Sequence, residues 1–206
     1  DHILLRHLLK VELLLELLHK VPKFGQDQPL PREIAAKVQA LVYEAWQGHE
    51  NYRGGRYVPG YWSMSNHVAF GILSGALPSG RRKGKSFTPG LTPSHLAEAP
   101  LTEQLHTVAG LNPLHMPNNI AFNVRVVPGA EGSHGAVVDR MLAYAAAYFE
   151  LGGMQMQFNV VDTATLKAAM SDPDEHRDLL VRISGYNAYF VDLNRDMQLE
   201  LIDRME

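Results

Sequence analysis

Short β-forming runs alternate along this chain with helical stretches of about ten residues or more, and that alternation argues for an α/β architecture. Residues 3–20 have helical spacing, with Leu5, Leu8, Leu9 and Leu13 followed by Leu14, Leu17 and Leu18. Arg6, His7, Lys10, Glu12 and Glu16 interrupt the run, so it reads as a buried amphipathic helix rather than a bilayer span. Residues 21–25 break it. A second helix starts near Pro31, turns Ile34, Val38, Leu41, Val42 and Ala45 inward, and stops at Gly48. Residues 61–67 alternate like a strand, which would put Trp62, Met64 and Asn66 on one face. Residues 71–95 are rich in Gly, Pro and Ser and predict a long ordered loop.

Beyond that loop the pattern predicts a helix over 101–109, a strand over 120–127, and a helix over 136–151 stopped by Gly152-Gly153. A strand over 154–161 then runs into Asp162, a natural N-cap for a helix over 164–170. The apolar run Leu179-Leu180-Val181 follows, and a last helix begins near Asn194. The chain opens at Asp1 without an initiator Met and stops at Glu206 inside a helical pattern, which reads as a fragment of something longer. No secretory signal is recognisable.

A formal net charge of -3 supplies neither a basic footprint for nucleic acid nor a polybasic patch for a membrane. None of the 206 residues is cysteine, which removes disulfides, thiolate metal sites and a cysteine nucleophile from this chain and fits an intracellular protein. Gly84-Lys85-Ser86 has the ending of a phosphate-binding loop. Ser79 stands where that motif needs its first glycine, and Pro89 and Pro93 oppose the helix that must follow. The ten histidines include no pair at helical i, i+4 spacing, so no metal site is expected, and the acidic cluster at 172–178 suits a solvated helix start. Gly129 to Gly135 reads as a turn.

Gly185 interrupts a β-forming run, with Leu179 to Ile183 before it and Tyr189-Phe190-Val191 after it. By itself this is the mark of a turn or bulge glycine. The hexapeptide Val181-Arg182-Ile183-Ser184-Gly185-Tyr186, however, resembles the radical-site motif of the glycyl radical enzymes, the family of pyruvate formate-lyase. Residues 187–193, Met197-Gln198 and Leu201-Ile202-Asp203-Arg204 resemble the family's closing segment. Upstream, residues 152–162, Arg53-Gly54-Gly55-Arg56, residues 59–63 and residues 77–82 resemble it in the same order, so the likeness covers nearly the whole chain.

The resemblance implies an α/β fold, the C-terminal portion of a ten-stranded barrel made of two half-barrels. Residues 1–171 would belong to the catalytic barrel, and residues 172–206 would form the glycine radical domain, cut short at its end. It further implies that Gly185 stores a Cα radical, installed by an activating enzyme that uses an iron–sulfur cluster and S-adenosylmethionine; no cofactor would be bound by this chain itself. A radical at Cα between an amide nitrogen and a carbonyl is delocalised over both and prefers planarity, which a side chain would crowd. Family members pass the radical to a cysteine far upstream. With no cysteine of its own, this chain is expected to be inactive without the N-terminal part of the enzyme.

Residues 153–159 and 184–190 look most like the benzylsuccinate and alkylsuccinate synthases, which add fumarate to hydrocarbons, or the arylacetate decarboxylases. A pyruvate formate-lyase-like acyltransferase or a small spare-part radical protein is the alternative. The family aligns residues 61–67 with its substrate cavity, which makes Trp62 and Met64 candidate walls for an apolar small-molecule substrate. The partners implied are the activating enzyme, the remaining N-terminal part and the substrate, with a homodimer also compatible, in a cytoplasmic setting without nucleic acid or membrane.

Overall fold

The computed structural model describes residues 2–126 and 134–205. Helix α1 spans His2–Lys20 and α2 spans Pro29–Gln47, with Pro in its first turn, where a missing N–H costs nothing. Helix α3 spans Asn66–Leu73 and α4 spans Leu101–Ala109. Strand β1 (Asn123–Arg125) is followed by α5 (His134–Glu150) and β2 (Gln157–Asn159), and β1 pairs β2 in parallel with Val124 opposite Phe158. This βαβ crossover bears out the α/β reading. Helix α6 (Thr163–Ser171) leads to β3 (Leu180–Arg182) and β4 (Asn187–Tyr189), an antiparallel hairpin, and α7 (Arg195–Met205) closes the chain.

Local chemistry sets the helix ends. The Asp162 carboxylate accepts from Thr165 N at 2.7 Å and Thr165 Oγ1 at 2.9 Å, so it caps α6 and is itself held below the ordinary carboxylate range by those donors. Asn194 caps α7 in the same way through Met197 N. Gly152 takes φ +93 just past α5 and sends its N–H back to Phe149 O, the left-handed stop expected there.

Of the three apolar cores among the described residues, two bear on the site. One gathers Leu105, Val108, Phe122, Val124, Val137 and Tyr148 from α4, β1 and α5. The other joins Val68 of α3 to Leu166, Val181, Ile183, Phe190, Met197 and Leu201. Burial of that many large side chains is what holds the β3–β4 hairpin, since an isolated two-stranded hairpin is marginal in water.

Several expectations need correction. Residues 61–67 do not form a strand: Tyr61 alone makes a parallel bridge, to Ile120, and the chain then turns through Ser63–Asn66 into α3. The period-two alternation was outweighed by turn-forming serines and by the helical spacing of Val68 and Gly71, both buried. Trp62, Met64 and Asn66 therefore do not share a strand face. In α2 the buried residues are Pro31 and Gln39, while Ile34, Val38 and Leu41 stay more than half exposed. The helix is turned by Gln39, whose carboxamide donates to Asn112 O and accepts from Asn112 N. Helix α1 forms as expected, yet Val11, Leu13, Leu14 and Leu17 are exposed, because consecutive leucines wrap the helix and make no single stripe. The strands over 120–127 and 154–161 shrink to β1 and β2; Val127 and residues 129–133 lie outside the described residues.

The loop after α3 is ordered, as its composition predicts, and its organiser is Arg81. This side chain is 8% exposed, donates to the carbonyls of Gly71, Gly75, Arg82 and Lys85, and lies 4.4 Å over the Phe87 ring. Phe87 N donates to His67 O, so Gly84-Lys85-Ser86 leads into an extended segment and not into a phosphate-binding helix. Among the described residues no helix is long and apolar enough to cross a membrane.

Candidate functional site

Gly185 lies in the four-residue loop that joins β3 to β4, closed by Ile183 N donating to Tyr186 O at 3.0 Å. Its φ is +88 and it is exposed; a Cβ built on it would meet no atom within 4 Å. Gly90 makes a useful contrast. It too has positive φ, but a Cβ there would run into Ala121 O and Tyr61 O, so close packing requires that glycine. At Gly185 only the backbone conformation does, at a cost of about 1–2 kcal/mol for another residue.

Two strands of polar side chains hold this loop from beneath. On β2, Asn159 pairs with the main chain of Arg182 in both directions, Nδ2 to O and N to Oδ1, each at 2.8 Å. Gln157 Oε1 accepts from Arg182 Nε at 2.5 Å and, at a longer 3.4 Å, from Gly185 N. Behind it Gln157 Nε2 donates to Asn123 Oδ1, and Asn123 donates twice to Thr92 Oγ1. Arg182 also reaches Asn187 Oδ1 across the hairpin.

The second support comes from α7. Glu200 and Arg204 form a forked pair with bonds of 3.0 and 2.5 Å, and Arg204 Nη1 donates to Ile183 O. His67 Nε2 stands 3.5 Å from Glu200 Oε2, and Ser63 Oγ lies 3.1 Å from His67 Nδ1. Burial works against the Glu200 charge, but Arg204 and His67 outweigh it and hold the carboxyl below its ordinary range. A buried polar path thus runs from the turn between Trp62 and Met64 to the main chain two residues before Gly185.

Trp62 and Met64 are each 46% exposed, and Met64 has φ +51. They line neither the apolar cleft of about 450 Å³ beneath α2 nor the polar cleft of about 1020 Å³ that includes Arg81, Asn123, Asn159 and Arg204. Among the described residues no group of three or more His, Cys, Asp or Glu side chains could hold a metal ion. Arg182 holds the loop through its bonds to Asn159, Gln157 and Asn187; Ser184 is fully buried and its hydroxyl finds no partner among the described residues. Sequence reasoning missed Gln157 and Asn159. The signal was present: Gln155, Gln157 and Asn159 put polar groups at every second position of a strand, and β2 buries that polar face.

A family model described as Glycine radical matches residues 87–191, and one described as Pyruvate formate lyase-like matches residues 9–71. Isethionate sulfite-lyase of Desulfovibrio desulfuricans is 36% identical over 202 residues, covering 92% of this chain and 23% of that relative. Indoleacetate decarboxylase of Tractidigestivibacter scatoligenes is 31% identical over 194 residues, covering 90% of this chain and 21% of the relative. The glycerol-bound B12-independent glycerol dehydratase from Clostridium butyricum superposes with a TM-score of 0.87 at 31% identity, over 93% of this chain and 24% of that one. The chain spans less than a quarter of the length of these relatives.

Proposed function

Because this chain belongs to the glycyl radical enzyme family, pyruvate formate-lyase-like, we propose that Gly185 is its radical-storing residue, within an enzyme that carries out radical lyase chemistry. The observation that carries the reading is Gly185 itself. It lies inside the matched Glycine radical segment, at an exposed loop position where neighbouring atoms leave room for a side chain, so packing does not account for glycine there. The left-handed φ of +88 favours glycine on its own, and the need for a planar, uncrowded Cα is the functional reason this reading adds to it.

In this reading an activating enzyme that uses S-adenosylmethionine generates the abstracting radical. The Gly185 Cα–H bond breaks homolytically and the hydrogen atom leaves with that radical. A cysteine in the N-terminal part of the full-length protein later returns a hydrogen atom to Gly185 and becomes the thiyl that attacks a small-molecule substrate. The chain's own residues orient the loop and shield the radical. We place the barrel portion at residues 1–171 and the radical-bearing portion at 172–206. The shared core of α6, the β3–β4 hairpin and α7 ties the two together. The reading carries with it a cytoplasmic enzyme, with a homodimer compatible.

Lyase chemistry is supported by the names of the relatives, a sulfite-lyase, a decarboxylase and a dehydratase. Fumarate addition to a hydrocarbon is the second reading; it requires the apolar pair Trp62 and Met64, which line neither cleft in this chain, to meet the substrate once the N-terminal part is present. Unchanged substrate affinity in Trp62→Ala of the full-length enzyme would count against it. The radical itself is tested by anaerobic electron paramagnetic resonance on the full-length protein after activation. A doublet-type organic radical signal that disappears in Gly185→Ala is expected; a doublet that persists in Gly185→Ala overturns the assignment.

A further inference from the structure

We propose that the Gln157 carboxamide is the positioning group for Gly185: it holds the glycine's amide N–H, and so sets the direction of the Cα–H bond and the stability of the radical left behind. The inference rests on the reading of Gly185 as the radical residue and names a residue that acts through it.

The two ends of the Gln157 carboxamide are told apart by their surroundings. Gln157 is 6% exposed, and its Oε1 faces two donors, Gly185 N and Arg182 Nε. Its Nε2 faces one acceptor, Asn123 Oδ1, at 2.7 Å. Asn123 is in turn oriented, because its Nδ2 and its main-chain N both donate to Thr92 Oγ1, at 3.2 and 2.9 Å. Turning the Gln157 carboxamide over would set its NH₂ against the donors of the loop and its oxygen against the oxygen of Asn123. Buried donors and acceptors left in that state are unfavourable, so the row Thr92–Asn123–Gln157 fixes an oxygen toward Gly185.

The other anchors do something different. Asn159 and Arg204 bind the main chain of Arg182 and Ile183, and thereby hold β3 and the start of the loop. Gln157 reaches the glycine. The Gly185 nitrogen is one of the two groups that share the unpaired electron once the hydrogen atom has left, its lone pair feeding the half-filled Cα orbital. An acceptor on its N–H raises the electron density available for that sharing and restrains rotation of the 184–185 peptide. Glycine at this position has no side chain to fix its own orientation, so an external group must.

The test uses the full-length protein, activated anaerobically and compared at equal spin concentration. In Gln157→Leu the doublet should change its hyperfine envelope, and the radical should decay about fivefold faster, the scale of one lost hydrogen bond. Gln157→Glu, which keeps an acceptor toward Gly185 and Arg182 while losing the donor to Asn123 Oδ1, should bring the line shape back toward the native one relative to Gln157→Leu. A loss of general stability alone would leave the line shape unchanged, so an unaltered envelope and lifetime in Gln157→Leu overturns the proposal. Should Gln157→Leu fail to fold, Thr92→Val frees the Asn123 carboxamide and is expected to split the signal into two overlapping forms; a native spectrum there overturns it equally. No doublet in the activated native protein, or a doublet surviving Gly185→Ala, would defeat the radical assignment itself, and would be seen without any Gln157 variant.

Discussion

The loop organised by Arg81 and the loop that carries Gly185 are both irregular segments lying against α3 and α7, but they are held by opposite means. Arg81 stands inside its loop, and one buried guanidinium donates to three main-chain carbonyls of that same segment and to Gly71 O in the last turn of α3. The Gly185 loop contains no such organiser. Its anchors come from outside: the amides of Gln157 and Asn159 on β2 and the Arg204 guanidinium on α7. A segment tied by its own charged group moves as a unit. One tied by several separate bonds from different elements, the amide ones each worth about 1 kcal/mol net, can be adjusted bond by bond. The first arrangement suits a structural plug and the second suits a residue that must meet more than one chemical partner.

That contrast makes ordered predictions. The largest effect should come from Arg81→Met, which removes a buried guanidinium and with it the donor to the Gly75 and Lys85 carbonyls, and should cost about 3 kcal/mol in thermal or urea unfolding. Glu200→Gln should cost about 2 kcal/mol, since Arg204 is then left nearly buried beside a neutral partner. The same variant has a signature in pH. The Glu200 carboxyl is held below its unfolded value of 4.5, so its stabilisation is present above that value and is lost as pH falls through the lowered one. Unfolding followed from neutral to acid pH should therefore be less acid-sensitive in Glu200→Gln than in the native protein. The smallest effect should be Asn159→Ala, about 1 kcal/mol. If Asn159→Ala destabilised as much as Arg81→Met, the distinction between the two loops would fail.

Much of the site was legible from residues near one another in the chain. Gly185 stands out through the resemblance of its hexapeptide to a family motif, since the interrupted β-forming run alone marks only a turn; the cap at Asp162 and the stop at Gly152-Gly153 are local chemistry that the structure reproduces. The failures have a common cause. Residues 61–67 alternate well enough for a strand, but their neighbours decided that they turn into α3. The apolar positions of α2 were read correctly as a stripe and assigned the wrong direction, since the polar Gln39 docks the helix through Asn112. Both errors come from treating apolar character as the sole guide to what is inside.

From the sequence alone came the alternation of helices and strands and the helix ends, because each depends on contacts within a few residues of itself, while the candidate glycine came from the likeness of its motif to a known family. Only the tertiary structure decided what holds Gly185. Thr92, Asn123, Gln157 and Arg182 are spread over ninety residues, and His67 lies far from Glu200; periodicity cannot pair groups at such separations. Folding brings them together because β1, β2 and the hairpin pack side by side, and buried polar groups must find one another once water is gone.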